Sequence, residues 1–229
     1  MTIRTTVFSL MSLSLLSTSL LVFPAAAGEG SNSVYLEELT WQEIKNKVRT
    51  GTQVAIVPSG GLEQGGPHLV EGRQDVIAHY AAGQIARATN ALVAPVISYV
   101  PEGRIEPPEG HMQFAGTISV TEQTYAAILQ DVATSLKQHG FRYIFFIGEH
   151  SGSQRVQQQV ADKLTSMWVS EGVRVYNVSQ YYDRAAQEEW SEAAGVKINN
   201  PHAHAGHIDT SEMMALDPSG VRDNLRMAY

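Results

Sequence analysis

Apolar residues recur along this chain with two different periods, and the alternation between them sets out its elements. Short runs rich in β-branched and aromatic residues, at 54–57, 92–100, 141–147 and 173–178, read as strands. Apolar positions spaced three or four apart over 35–50, 76–88, 121–139, 153–169 and 181–194 read as helices. Local signals agree with these limits: Thr40 with Glu43 three residues on forms a capping box, Thr121 is an N-cap, and Gly140 ends the helix before it. The run FRYIFFI over 141–147 is almost continuously apolar, as expected of a central strand covered on both faces. Strands that alternate with helices predict an α/β fold with a mainly parallel sheet.

Residues 1–27 do not share this pattern. Arg4 precedes an apolar stretch over 7–23, and Ala25, Ala26 and Ala27 supply the small residues of a cleavage site, so this stretch reads as a signal peptide that directs the protein to the periplasm or secretes it. Cleavage after Ala27 leaves 28–229, enough for one domain with one large core. The formal charge of −7 becomes −8 when Arg4 leaves, which argues against a nucleic-acid or anionic-membrane partner and for a small-molecule substrate. There is no cysteine, so disulfides, thiol catalysis and thiolate ligation are excluded, and any metal must be held by His, Asp and Glu.

Ligands of a parallel α/β sheet gather beyond the carboxyl ends of its strands, which directs attention to three segments. The first, VPSGGLEQGGPHLVEGRQD, places Glu63, His68 and Asp75 just after a buried strand, where turn glycines let the backbone approach a site closely. Carboxylate with imidazole suits zinc, manganese or iron rather than calcium; the alternative is a solvated loop with Asp75 capping the next helix. The second is GEHSGS, whose His150 stands at the apex of a strand-turn-helix elbow and can reach out as a ligand or base. The third, PHAHAGHIDTSEMMAL, holds His202, His204 and His207 followed by Asp209 and Glu212, with a helix starting at Asp209 or Thr210; such His-rich tracts also bind metal adventitiously. The stretch PEGRIEPPEGHMQFAGTIS over 101–119 is too long for a plain connection and reads as a functional loop. No G-x-S-x-G, phosphate-loop or dinucleotide motif occurs.

Taken together and in order, EQGGPHLV followed by Asp75, GHMQFAGTIS, GEHSGS and HAGHIDTS resemble the motifs of the creatininase family, approximately E-Q-H-G-P-H-L-P, E-H-x-x-F-P-G-T-I-S, N-G-H-G-G-N and H-A-G-E-x-E-T-S. The resemblance spans nearly the whole chain after residue 27. It implies a three-layer α/β/α fold, often assembled as a homo-hexamer, and a metal-dependent hydrolase of linear or cyclic amides using one or two ions of zinc, manganese or iron. It also implies that Glu63, Asp75 and His150 are metal ligands, with Asp75 bridging, and that His204 is the acid/base. Two positions depart from the family. Gly65 stands where relatives have a metal-binding histidine, and His207 where they have a carboxylate, which makes His207 a replacement ligand and the second metal site weak or absent. One extra residue separates Glu63 from Asp75, so the loop must bulge for Asp75 to reach its place. These departures, with Ala115 for the loop proline, define the other reading: an inactive creatininase-like protein that binds a small ligand or partner.

Overall fold

Four strands, β1 (Val54–Ser59), β2 (Ala91–Val93), β3 (Tyr143–Gly148) and β4 (Arg174–Asn177), form one wholly parallel sheet in the order β2-β1-β3-β4. This computed structural model describes residues 32–196 and 204–228; the segment 1–27, read above as an export signal, and His202 lie outside that range. Six α-helices accompany the sheet: α1 (Trp41–Arg49), α2 (Arg73–Thr89), α3 (Glu122–Gln138), α4 (Gln154–Trp168), α5 (Arg184–Ala193) and α6 (His207–Leu216). None of the described helices is long and apolar enough to cross a membrane.

The period-two alternation of β1 assigns its side chains to two cores. Ala55 and Val57 enter one with Tyr125, Leu129 and Ala133 of α3 and Val156, Val160 and Leu164 of α4. Ile56 enters the other with Ile147, Ala82 and Ala86, the last two on α2. Each large aliphatic or aromatic side chain so buried contributes about 1.5 to 3 kcal/mol. Helix α6 stacks outside α2 through Met213 against Ile77 and Leu69. The result is the three-layer α/β/α sandwich, with α3 and α4 on one face and α2 on the other.

The sequence signals and the structure differ in several places, each with a physical cause. The helix expected over 35–50 divides, because Thr40 closes a full capping box with Glu43 and α1 can only start after it. Strand β1 runs through Pro58 to Ser59: the Pro58 carbonyl accepts from Ile97 N–H on the side where β2 has already ended, so the missing proline N–H costs the ladder nothing. The strand expected over 92–100 forms a continuous ladder only at Ala91–Val93 and then meets β1 again in a single parallel bridge between Ile97 and Ser59. Strand β3 is fully covered on one face only, since Tyr143 is exposed and Phe145 half-buried while Ile144 and Phe146 are buried. Helix α6 starts at His207 with Gly206 as N-cap, placing Asp209 in the first turn instead of at the cap.

The strand order determines where a site can form. Between β1 and β3 the chain leaves the sheet toward opposite faces, to α2 after β1 and to α4 after β3, and this divergence opens a crevice at the carboxyl end. The loops after β1, β2 and β3 all meet there.

Candidate metal centre

Glu63 lies four residues beyond the end of β1, and His150 two beyond β3. The β3 elbow is fixed by its own polar groups: Ser153 Oγ donates to the His150 carbonyl at 2.8 Å and Gln154 Nε2 to the Gly148 carbonyl at 2.8 Å. Glu149 N–H donates to the Ser59 carbonyl at 2.9 Å, which ties the elbow to the end of β1. Below it the buried Tyr125 hydroxyl donates to Ser59 Oγ at 2.8 Å and accepts from Gln157 Nε2 at 2.7 Å.

The long connection after β2 supplies two more donors, Glu102 and His111. It closes on itself through Ser119, whose hydroxyl accepts from Glu102 N–H at 2.9 Å and donates to the Gly103 carbonyl at 2.8 Å. His111 N–H donates to the Glu102 carbonyl at 3.0 Å, so the two residues are held side by side. A bridge between Leu62 and Ile118 staples this loop to the one bearing Glu63. Gly61 leaves room for the site, because a Cβ there would press on Glu102 Oε1 and Gln74 Oε1 and force both side chains to shift.

Glu63, Glu102, His111 and His150 consequently converge, with one donor atom of each within 4.8 Å of all the others. Glu63 Oε2 lies 3.1 Å from His111 Nε2 and 3.3 Å from His150 Nε2, and Glu102 Oε2 lies 2.8 Å from His150 Nε2. Donors bound at about 2.1 Å to one tetrahedral or octahedral ion sit about 3.0 to 3.4 Å apart, so this crowding matches shared coordination. The contacts are poorly directed as hydrogen bonds: Glu63 Oε2, both Glu102 oxygens and His150 Nδ1 are buried with no hydrogen-bond partner. Buried acceptors of that kind are costly unless something positive satisfies them, and a divalent cation at their centre does so. The residues therefore fit a divalent metal.

The electrostatics of the group follow from burial and close charges. Burial works against the His150 imidazolium, but the Glu102 and Glu63 carboxylates outweigh it and raise His150 to about 9. Burial pushes Glu102 up to about 7, with His150 opposing it in part. Burial also acts to raise Glu63, but His150, His204 and Arg73 together hold it far below the usual carboxylate range. Burial lowers His111, which favours its neutral, ligating form.

Of the residues singled out in the sequence, Glu63 and His150 belong to this group. His204 adjoins it, with Nδ1 3.1 Å from Glu63 Oε1 and its ring 4.5 Å, edge to face, from that of His111. Asp75 is not in the group: its Oδ1 accepts from Gly61 N–H at 3.1 Å, it is further hydrogen-bonded by Ser98, and burial raises it. Helix α2 turns Gln74 toward the site instead, with Nε2 donating to Glu63 Oε1 at 2.7 Å. His207 is solvent-exposed at the start of α6. His68 is buried and bonds Thr210 Oγ1 at 2.9 Å, supporting the 204–211 segment from beneath. Glu149 accepts from the Tyr181 hydroxyl at 2.6 Å, and burial raises it.

Three participants had no individual signal in the sequence. Glu102 and His111 lie in the loop marked as functional by its length, and His111 is inside the quoted GHMQFAGTIS motif. The third, Arg73, is 1% exposed and donates to Glu63 Oε1 and to the Glu63 carbonyl, each at 2.9 Å. A cavity of about 420 Å³, lined by Pro101, Gly103, Arg104, Thr121, Glu122 and Gly152, lies on the loops that carry Glu102 and His150, though none of the four donors lines it.

A parallel α/β sandwich with a carboxylate and imidazole cluster at its switch point defines the class: an α/β protein with a divalent-metal site. The creatininase family model, described as creatinine amidohydrolase, matches residues 37–228, and the chain belongs to that family. It is 28% identical over 200 residues to the creatinine amidohydrolase of Pseudomonas putida, covering 83% of this chain and 75% of that protein. It is 25% identical over 191 residues to a 3-dehydro-scyllo-inosose hydrolase of Thermotoga maritima, covering 83% of this chain but only 58% of the relative. Among solved structures it matches a creatininase described as a Mn form with a TM-score of 0.69, at 26% identity and over 84% of this chain and 76% of that one. A creatininase mutant described as Zn-Zn type gives a TM-score of 0.71, at 26% identity and over 85% and 76% of the two chains.

Proposed function

We propose that this protein hydrolyses a carbon–nitrogen bond of a small linear or cyclic amide. The observation that carries the reading is the convergence of Glu63, Glu102, His111 and His150, with buried carboxylate oxygens unsatisfied, at the switch point of a creatininase-family chain. These four residues would hold a divalent ion, which when bound would supply an acidified water and stabilise negative charge. The remaining steps belong to the chain. His111 and His204 are the most accessible groups at the site, with side chains 24% and 37% exposed, so the substrate enters past their rings. His204, whose Nδ1 is 3.1 Å from Glu63 Oε1, carries a proton to the leaving nitrogen, as a half-exposed imidazole at an anionic carboxylate can. The buried walls formed by Glu63, Glu102 and His150 keep bulk water away from the reacting carbon.

One observation favours a second reading, in which the site binds a small ligand without hydrolysing it: the buried Arg73 guanidinium neutralises Glu63 at 2.9 Å. The deciding experiment incubates the purified protein with zinc or manganese and a panel of cyclic and linear amides, following amine release. The hydrolase reading expects turnover that falls at least about 100-fold in Glu102→Gln and in His111→Ala. Saturable binding of an amide without turnover, in protein carrying its metal, favours the second reading.

A further inference from the structure

We propose that the Arg73 guanidinium is a built-in second cation, so that this site holds one divalent ion where a Zn-Zn creatininase holds a pair. The inference rests on the metal reading above and concerns what stands beside that ion. Glu63 spans two cation positions. Its Oε2 faces His111 and His150 within the four-residue group, while its Oε1 is held by Arg73 Nη2 at 2.9 Å and Gln74 Nε2 at 2.7 Å. A carboxylate shared between two cations is the arrangement expected of a dinuclear centre, and here one of the two is a side chain.

The surroundings of Arg73 fit this role. Its Nη1 donates to the Glu63 carbonyl at 2.9 Å and its Nε to Asp209 Oδ2 at 3.4 Å, and Nη2 also lies 3.2 Å from His204 Nδ1, so the guanidinium is anchored from two segments, the Glu63 loop and residues 204–209. Space for it comes from Gly65. A Cβ on Gly65 would lie 2.9 Å from Leu69 Cβ, 3.2 Å from Arg73 Nη1 and 3.3 Å from Arg73 Cδ, so a larger residue at position 65 would crowd the arginine and force it to shift. The neutral Gln74 adjoins Glu63 where a further carboxylate would be required to balance a second dication. Unlike a metal ion, a guanidinium neither dissociates nor deprotonates at any working pH.

Tightly bound metal, counted by mass spectrometry on the full chain after exposure to excess zinc and desalting, tests this directly, together with zinc affinity by chelator competition at one fixed pH. The wild type is expected to hold one equivalent. Arg73→Met, which keeps the bulk but removes a positive charge next to the ion, is expected to bind its single zinc at least tenfold more tightly. Gly65→His with Gln74→Asp is expected to stay at one equivalent while Arg73 is present, and to reach two when Arg73→Ala is added. Two equivalents with Arg73 in place would overturn the proposal and leave the metal reading standing; none in the wild type would overturn both. If the triple variant does not fold, the Arg73→Met affinity decides alone: unchanged or weaker binding refutes the guanidinium as a competing cation.

Discussion

Replacing Glu212 with glutamine gives a stability change whose pH dependence is set by the structure. Glu212 is half-buried on α6, and burial, followed by the negative charges of Glu149 and Asp209, raises it from 4.5 to about 7, with Arg184 opposing. The folded state therefore keeps this proton up to a higher pH than the unfolded chain does. Its contribution to stability is complete below about pH 4.5 and is lost as pH rises through about 7. Each pKa unit corresponds to about 1.4 kcal/mol, so the 2.5-unit shift sets a ceiling of about 3 kcal/mol, reduced toward about 1 by the solvent that still reaches the carboxyl. Glutamine copies the protonated acid without titrating. Urea denaturation of both proteins at intervals from pH 4.5 to 8 should give nearly equal stabilities at the acid end and a Glu212→Gln advantage of about 1 to 3 kcal/mol at pH 8. A difference independent of pH, or an advantage that shrinks toward pH 8, would refute the charge argument.

Tyr125→Phe should destabilise by about 1 to 3 kcal/mol, read from the urea midpoint, because Gln157 Nε2 and Ser59 Oγ lose their shared buried partner. Zinc affinity should rise about tenfold per pH unit between pH 7 and 8, since His150, raised to about 9, must release its proton to bind, and more steeply below 7 where Glu102 must also release one; chelator competition measures both slopes. Mass spectrometry of protein recovered from the exported fraction should find a mature amino terminus at Gly28, as the small residues before it require.

What could be read in the sequence was whatever periodicity or a strand end marks. Glu63 and His150 closely follow β1 and β3, two apolar runs legible in the sequence, so pattern alone brought them to one rim. Asp75 and Gln74 differ by one position, which on an α-helix is a rotation of about 100°, and only the starting phase of α2 decides which of them faces Glu63. Residue type favoured the aspartate, although the family spacing is one residue shorter; the actual helix turns the glutamine, at that shorter spacing, toward Glu63. Glu102 and His111 belong to a loop whose shape depends on hydrogen bonds such as those of Ser119, a long-range closure with no periodic signature. Arg73 was invisible for a different reason. A buried cation is recognisable only when the glycine that makes room for it and the carboxylate it neutralises are seen in one place.

Anomalous diffraction at the zinc edge from crystals of the full chain, grown with zinc, tests the central claim most directly. A single strong peak within about 2.3 Å of donor atoms of Glu63, Glu102, His111 and His150 is the predicted result. A peak ligated by Asp75 or His207 in place of Glu102 and His111, or no peak among the four, would contradict it.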